Sequence, residues 1–130
     1  MNEKLPDIGL TANGYVLDLM GQCNQFSGSQ QLEIRSWSAP KRMAELVPAP
    51  WRADRWWRMK LRVDLQRETS ATVAVVRGKA WPREEEEREH WTFTARDKSP
   101  YLNISPGLHG NAKDVEPYLD NIEVVANDAE

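Results

Sequence analysis

The stretch "RWWRMKLRVDLQ", residues 55–66, decides the fold, because its side chains alternate between apolar and polar. The apolar positions are Trp57, Met59, Leu61, Val63 and Leu65. The intervening positions hold Trp56, Arg58, Lys60, Arg62 and Asp64. Successive side chains of a strand point to opposite faces, whereas a helix would scatter the apolar residues around its circumference. The stretch therefore predicts an antiparallel strand with one buried and one solvated face.

Six further segments have strand character, so the sequence predicts about seven strands. They are "YVLDLM" (15–20), "QLEIRSW" (31–37), "KRMAELVPAP" (41–50), "ATVAVVRGKAW" (71–81), "HWTFTARD" (90–97) and "YLDNIEVVA" (118–126). Gly78 predicts a β-bulge, and Ile122 and Val124 are expected to close the core. The acidic run "REEEEREH" (83–90) has no apolar face and predicts an exposed loop. Many short strands between turn signals predict an all-β, antiparallel β-sandwich.

Length and composition set the limits on class and partners. A chain of 130 residues predicts a single domain, 1–130, and 40% apolar with 28% charged residues is typical of globular proteins. The net charge of −3 argues against a nucleic-acid partner, and the lone Cys23 excludes an internal disulfide. We expect no membrane span, because no long apolar run occurs. The first ten residues lack a secretory signal pattern.

Aromatic side chains are the first candidates for a binding site, since the chain has six tryptophans. An indole or phenol ring on an exposed sheet face can stack on a sugar ring, and Trp37, Trp56, Trp81 and Tyr101 are the candidates for carbohydrate contact. The alternative is a packing role, because tryptophan is highly buried on average.

Oxygen ligands near the end of the chain are the only candidates for a cofactor. Asp114, Glu116, Asp120 and Asn121 could bind calcium, although their spacing is not that of a calcium loop. Glu116 and Asp120 could instead be the carboxylate pair of a sugar-processing hydrolase. The sequence has no nucleophile elbow, no phosphate-binding glycine loop and no histidine–cysteine metal set. These observations favour a non-catalytic protein.

Several motifs together carry a resemblance to a known family. They are "LPDIGL" (5–10), "YVLDLMG" (15–21), "QLEIRSW" (31–37), "WWRMKLRVD" (56–64), "VRGKAWPREEEEREHWT" (76–92) and "SPGLHGNAKDVEPYLDNIEV" (105–124). With them the chain resembles, over residues 5–125, the C-terminal concanavalin A/laminin-G-like jelly-roll domain of bacterial PQQ-type β-propeller proteins. The resemblance implies a periplasmic or secreted sandwich that accompanies a propeller and has polysaccharide-binding relatives. PQQ itself would belong to the propeller.

Two departures from that family shape the functional hypotheses. The loop "QCNQFSGSQ" (22–30) is longer than expected, and relatives carry further strands before "LPDIGL". A sandwich that lacks its first strands would expose backbone edges, which recruit other strands. We therefore expect a rearranged compact sheet, a strand-swapped or edge-to-edge oligomer, or a partner chain that supplies the missing strand. The sequence thus leaves three hypotheses: a module that binds carbohydrate or serves a larger exported propeller protein, an assembly domain that pairs through strand edges with a second copy or partner chain, and a sugar-processing hydrolase.

Overall fold

The computed structural model describes residues 7–21, 30–36, 44–49, 51, 55–100, 105–111 and 119–127. Within these ranges the regular structure consists of eight strands and no helix. The strands are β1 (Asp7–Ala12), β2 (Tyr15–Met20), β3 (Gln31–Ser36), β4 (Ala44–Pro48), β5 (Trp57–Glu68), β6 (Ala71–Pro82), β7 (Phe93–Asp97) and β8 (Gly107–Asn111). The predicted all-β class is confirmed.

The strands form two antiparallel sheets around one apolar core. Sheet A has the order β4-β3-β2-β1-β8, and sheet B has the order β5-β6-β7. β2 and β3 face β6, while β1 faces β5. The shared core contains Tyr15, Leu17, Leu19, Leu32, Ile34, Ala74, Val76, Ala80 and Ala95. This arrangement is β-sandwich-like, and its core follows from the alternation in the sequence.

A buried hydrogen bond also joins the two sheets. The hydroxyl of Tyr15, on β2, donates to Asp97 Oδ2, on β7, at 2.7 Å. The second carboxylate oxygen of Asp97 accepts from the Ser99 backbone N–H at 2.9 Å. The carboxylate is therefore bound on both oxygens, as a buried charged group requires.

Two strands, β1 and β8, were not predicted from the sequence. Each is short and contains glycine, which lowers its strand signal. In β1 the glycine is required by packing, because a Cβ atom on Gly9 would lie 2.3 Å from the carbonyl oxygen of Leu17.

The prediction of a final strand over residues 118–126 is wrong for the part that the structure describes. Residues 119–127 belong to no strand, and Ile122 and Val124 are exposed and do not close the core. The alternating pattern is real, but side-chain alternation alone does not supply a neighbouring strand with which to pair.

The predicted bulge at Gly78 is also wrong. The register of β5 against β6 is continuous and places Gly78 opposite Leu61. A Cβ atom at position 78 would lie 2.5 Å from Leu17 Cδ1, so the glycine allows Leu17 of the facing sheet to approach. Glycine here serves the contact between sheets.

Candidate functional site

The long strand β5 lies at the edge of sheet B and has one open side. It pairs with β6 along its twelve residues, Trp57–Glu68, and with no other strand in the described parts of the chain. A strand at a sheet edge presents backbone N–H and C=O groups that can template another strand. We call this side of the strand the β5 edge.

The 119–127 segment exposes four apolar side chains, and two of them, Ile122 and Val124, were expected in the core. Leu119, Ile122, Val124 and Val125 are 49–71% exposed, more than any other large apolar side chain in the described residues. The backbone of Asn121 is left-handed, with φ at 53°, and its N–H donates to Asp120 Oδ1 at 2.8 Å. Asparagine tolerates this conformation.

A side-chain contact places the end of this segment against β5. Asn127 Nδ2 donates to the backbone oxygen of Val63 at 2.7 Å and to Asp64 Oδ1 at 3.0 Å. The contact brings the end of the segment to the β5 edge, and Val125 and Val124 precede Asn127 by two and three residues.

The two sheets differ in width, and this leaves the inner face of β8 without a facing strand among the described residues. Because β5 faces β1, and β8 lies beyond β1 in sheet A, no described strand of sheet B lies in front of β8. Leu108, on the inner side of β8, is accordingly 44% exposed. A strand added at the β5 edge would cover it.

The acidic loop folds back onto the outer face of sheet B. Glu87 Oε2 accepts a hydrogen bond from Lys60 Nζ at 3.1 Å and lies 2.9 Å from Lys79 Nζ. The hydrogen bond from Lys79 is the main cause that lowers the pKa of Glu87. The other pairs are Arg55 with Glu84 and Arg55 with Glu85. The loop is exposed as predicted, and it also neutralises basic side chains of the sheet.

Trp81, one of the predicted sugar-binding residues, packs beneath this loop. Its side chain is 4% exposed, and Lys79 Nζ lies 5.6 Å from its ring centroid. The same ammonium lies 4.7 Å from the Trp91 ring and donates to the backbone oxygen of Arg88 at 2.6 Å. The indole thus takes part in a cation–π contact and is not presented to solvent.

A row of polar residues lies on the outer face of sheet A, and the sequence did not single it out. In register, Glu33 lies opposite Asp18, Asp18 opposite Gly9, and Gly9 opposite His109, so one row crosses four strands. His109 Nε2 lies 3.7 Å from Asp18 Oδ2. Arg35 joins the row through its ion pair with Glu33 at 2.9 Å.

Burial changes the protonation of this group. Asp18 is 2% exposed, and its Oδ1 has no hydrogen-bond partner among the described residues. Desolvation, followed by the negative charge of Asp7, raises the pKa of Asp18 to about 7. Desolvation, followed by the charge of Arg35, lowers the pKa of His109. Asp18 alternates with Leu17 and Leu19 along β2, and no sequence signal shows that the face it occupies is buried.

The other predicted site residues are dispersed or undescribed. Trp56 is 48% exposed, and Asp120 and Asn121 are exposed. The residues outside the described ranges are Cys23, Trp37, Tyr101, Asp114 and Glu116. Within the described ranges, no three His, Cys, Asp or Glu side chains are placed to hold a metal ion. The calcium site and the carboxylate pair stay predictions.

Comparison with known proteins adds no assignment. No protein-family model, curated protein or solved structure matches the chain. Among the described residues, no helix has the length and apolar character needed to cross a membrane. The β5 edge with the 119–127 segment is therefore identified as a candidate site by geometry alone.

Proposed function

We propose that this chain is a non-catalytic assembly domain that binds an extended polypeptide strand at the β5 edge. One observation carries the proposal: Asn127 binds a twelve-residue edge strand, and it ends the segment that carries the most exposed apolar side chains in the described structure. Main-chain hydrogen bonds would give such a complex its affinity, and apolar side chains would select the partner. Clustered exposed apolar residues commonly mark interaction surfaces.

The resemblance noted in the sequence fits the same proposal. Two antiparallel sheets around one core support a jelly-roll assignment, which stays a prediction at that level of detail. An exported setting beside a β-propeller would supply a neighbouring polypeptide for the β5 edge. The proposal itself requires only a partner in extended conformation.

A random peptide library tests strand binding without knowledge of the natural partner. Displayed dodecapeptides selected on the purified chain should be rich in alternating apolar sequences. A bound peptide should slow amide hydrogen exchange in β5. The double variant Ile122→Ser/Val124→Ser should weaken binding of the selected peptides by about tenfold or more, because each lost side chain removes buried apolar area.

Glu123→Ser is the matched control, since it alters the position between the two apolar residues. It should leave peptide affinity close to that of the parent chain. Selected peptides that leave the exchange of β5 amides unchanged would contradict the proposal, as would equal affinity for the double variant.

A second candidate function is carbohydrate binding, and the exposure of Trp56 favours it. The residue directly precedes β5, and its backbone oxygen accepts from the Arg83 N–H at 2.9 Å. The backbone is thereby held, while about half of the residue remains exposed to solvent. Aromatic side chains carry an apolar face that can pack against a sugar ring.

Binding to cellulose, xylan and chitin tests this second function. We expect Trp56→Ala to abolish retention on the polysaccharide that the parent chain binds, with an unchanged melting temperature. Trp56→Phe should preserve part of the retention, because it keeps an aromatic face. If the parent chain binds none of the three, or if Trp56→Ala binds as well as the parent, Trp56 is not a sugar platform for these polymers.

A further inference from the structure

Two lysines lie side by side on the outer face of sheet B. In register, Lys60 of β5 is directly opposite Lys79 of β6. Like charges directly opposite each other destabilise a strand pair. One carboxylate oxygen compensates both charges, because Glu87 Oε2 lies 3.1 Å from Lys60 Nζ and 2.9 Å from Lys79 Nζ. The two lysines therefore form a binding site for a carboxylate, which we call the dilysine site.

Two indole rings and a backbone contact complete the dilysine site. Lys79 Nζ lies 5.6 Å from the ring centroid of Trp81 and 4.7 Å from that of Trp91. The same ammonium group donates to the backbone oxygen of Arg88 at 2.6 Å. Lys79 thus binds the carboxylate of Glu87 and the backbone carbonyl of the next residue, a combination that a polypeptide offers at every acidic side chain. The geometry therefore fits an acidic peptide better than a glycan or a nucleic acid.

The acidic loop occupies the dilysine site through exposed contacts. Residues 83–90 form no helix or strand, and each of them is exposed. Glu84, which binds Arg55, has a side chain that is 58% exposed, and the Glu87 side chain is 46% exposed. Ion pairs this exposed contribute little stability each and are weakened by salt. A competing anion can therefore displace the loop without unfolding the sheets.

We propose that the dilysine site binds an acidic segment of another protein, and that the acidic loop is its built-in competitor. The loop shows the chemistry of the partner, because glutamates three residues apart, Glu84 and Glu87, bind Arg55 and the two lysines. Arg58, opposite Trp81 in register, is exposed and forms no ion pair with any described residue. A partner with one more acidic side chain binds Arg58 as well and thereby displaces the loop.

The other basic side chains on this face do not belong to the site. Asp64 already binds both Arg62 and Arg77, and Glu68 binds Arg96. The dilysine site is also separate from the β5 edge, since it uses side chains on the face of the sheet, whereas the edge offers backbone groups. The proposal therefore adds a second surface to the chain and does not depend on strand binding.

Two double variants with the same change of net charge test the proposal. Glu84→Gln/Glu87→Gln removes the carboxylates that bind Arg55 and the two lysines, and Glu86→Gln/Glu89→Gln removes two that pair with no described residue. The probe is the free peptide of residues 83–90, titrated at low ionic strength and followed by NMR of the protein amides. The first variant should bind it about fivefold or more tightly than the parent chain, with shifts at residues 58–60 and 79–81. The second variant should bind it like the parent chain.

Matched peptides and a lysine variant locate the binding within the site. On the first variant, a probe peptide with Glu87→Gln should bind about threefold or more weakly than one with Glu86→Gln, although the two peptides have the same charge. Adding Lys60→Gln to that variant should weaken binding of the unchanged peptide to a similar degree. Adding Lys98→Gln, which lies just after β7, should leave binding unchanged.

The proposal is overturned if the peptide binds neither double variant, or if it binds the parent chain as tightly as Glu84→Gln/Glu87→Gln. Equal affinity for the two glutamine-containing peptides also overturns it. So does a result in which heparin or a single-stranded oligonucleotide shifts the same amides while the peptide does not. Strand binding at the β5 edge is unaffected by these results, because it is measured separately by hydrogen exchange of the β5 amides.

Discussion

Asp18→Asn is expected to stabilise the folded chain at pH 8 by up to roughly 4 kcal/mol. In the folded state the pKa of Asp18 is raised to about 7 from its ordinary value of 3.8. At pH 8 the folded parent chain must either keep a desolvated carboxylate at Asp18 or bind a proton there. Binding a proton costs free energy because the proton concentration is low at this pH. Asparagine has nearly the same shape and carries no charge, so this cost disappears.

The dependence on pH has a definite sign. Between about pH 4 and 7 the folded chain binds more protons than the unfolded chain. The contribution of Asp18 to the free energy of unfolding is therefore largest below about pH 4. It is lost as the pH rises through about 7. His109 acts in the opposite direction, because its pKa is lowered on folding and its contribution falls as the pH drops below 6.5.

Urea unfolding at several pH values from 4 to 8 measures the effect. The difference between Asp18→Asn and the parent chain should be small at pH 4 and should reach its maximum above pH 7. Because His109 is present in both proteins, the difference reports Asp18 together with its contact to His109. Asp120→Asn is the control, since Asp120 is exposed and should leave the pH profile unchanged. A difference that stays constant across this range would show that Asp18 does not retain a proton on folding.

The second of the two largest expected effects is the loss of stability on changing the contact between Leu17 and Gly78. Leu17→Ala should destabilise the chain by about 2–5 kcal/mol, because the leucine is fully buried between the sheets. Gly78→Val should cost about 1–3 kcal/mol, since its Cβ atom would meet Leu17 Cδ1 at 2.5 Å. The two substitutions affect the same space from opposite sheets.

A double-mutant cycle tests whether the side chains at positions 17 and 78 occupy the same space. The double variant should lose less stability than the two single losses combined, by about 1 kcal/mol or more, because the valine fills part of the volume that leucine vacates. Leu119→Ala, at an exposed site, should change stability by less than about 1 kcal/mol. Additive losses in the cycle would show that the two positions do not share this volume. So would a Gly78→Val variant as stable as the parent chain.

Several parts of the fold could be predicted because they depend on local patterns. The alternation in residues 55–66 and 71–81 corresponds to the long hairpin of β5 and β6. The segments 15–20 and 31–37 correspond to β2 and β3. Strands β1 and β8 escaped prediction, because the glycines in both strands weaken the pattern that identifies a strand.

The candidate site was less predictable, since its features depend on which elements meet. Trp56 is exposed, whereas Trp81 packs beneath Lys79, although both are tryptophans near strand ends. The β5 edge could be anticipated only as a general exposed strand edge. Its identity depends on sheet B containing three strands opposite five in sheet A.

The sequence by itself determined the strand character of the main segments and which side of β5 faces the core. Only the tertiary structure decided that Asp18 is buried on an outer face and that Ile122 and Val124 are exposed. The physical reason is that alternation divides the side chains of one strand between two faces. It does not determine whether the second face is covered by other parts of the chain, or whether the strand finds an edge with which to form its hydrogen bonds.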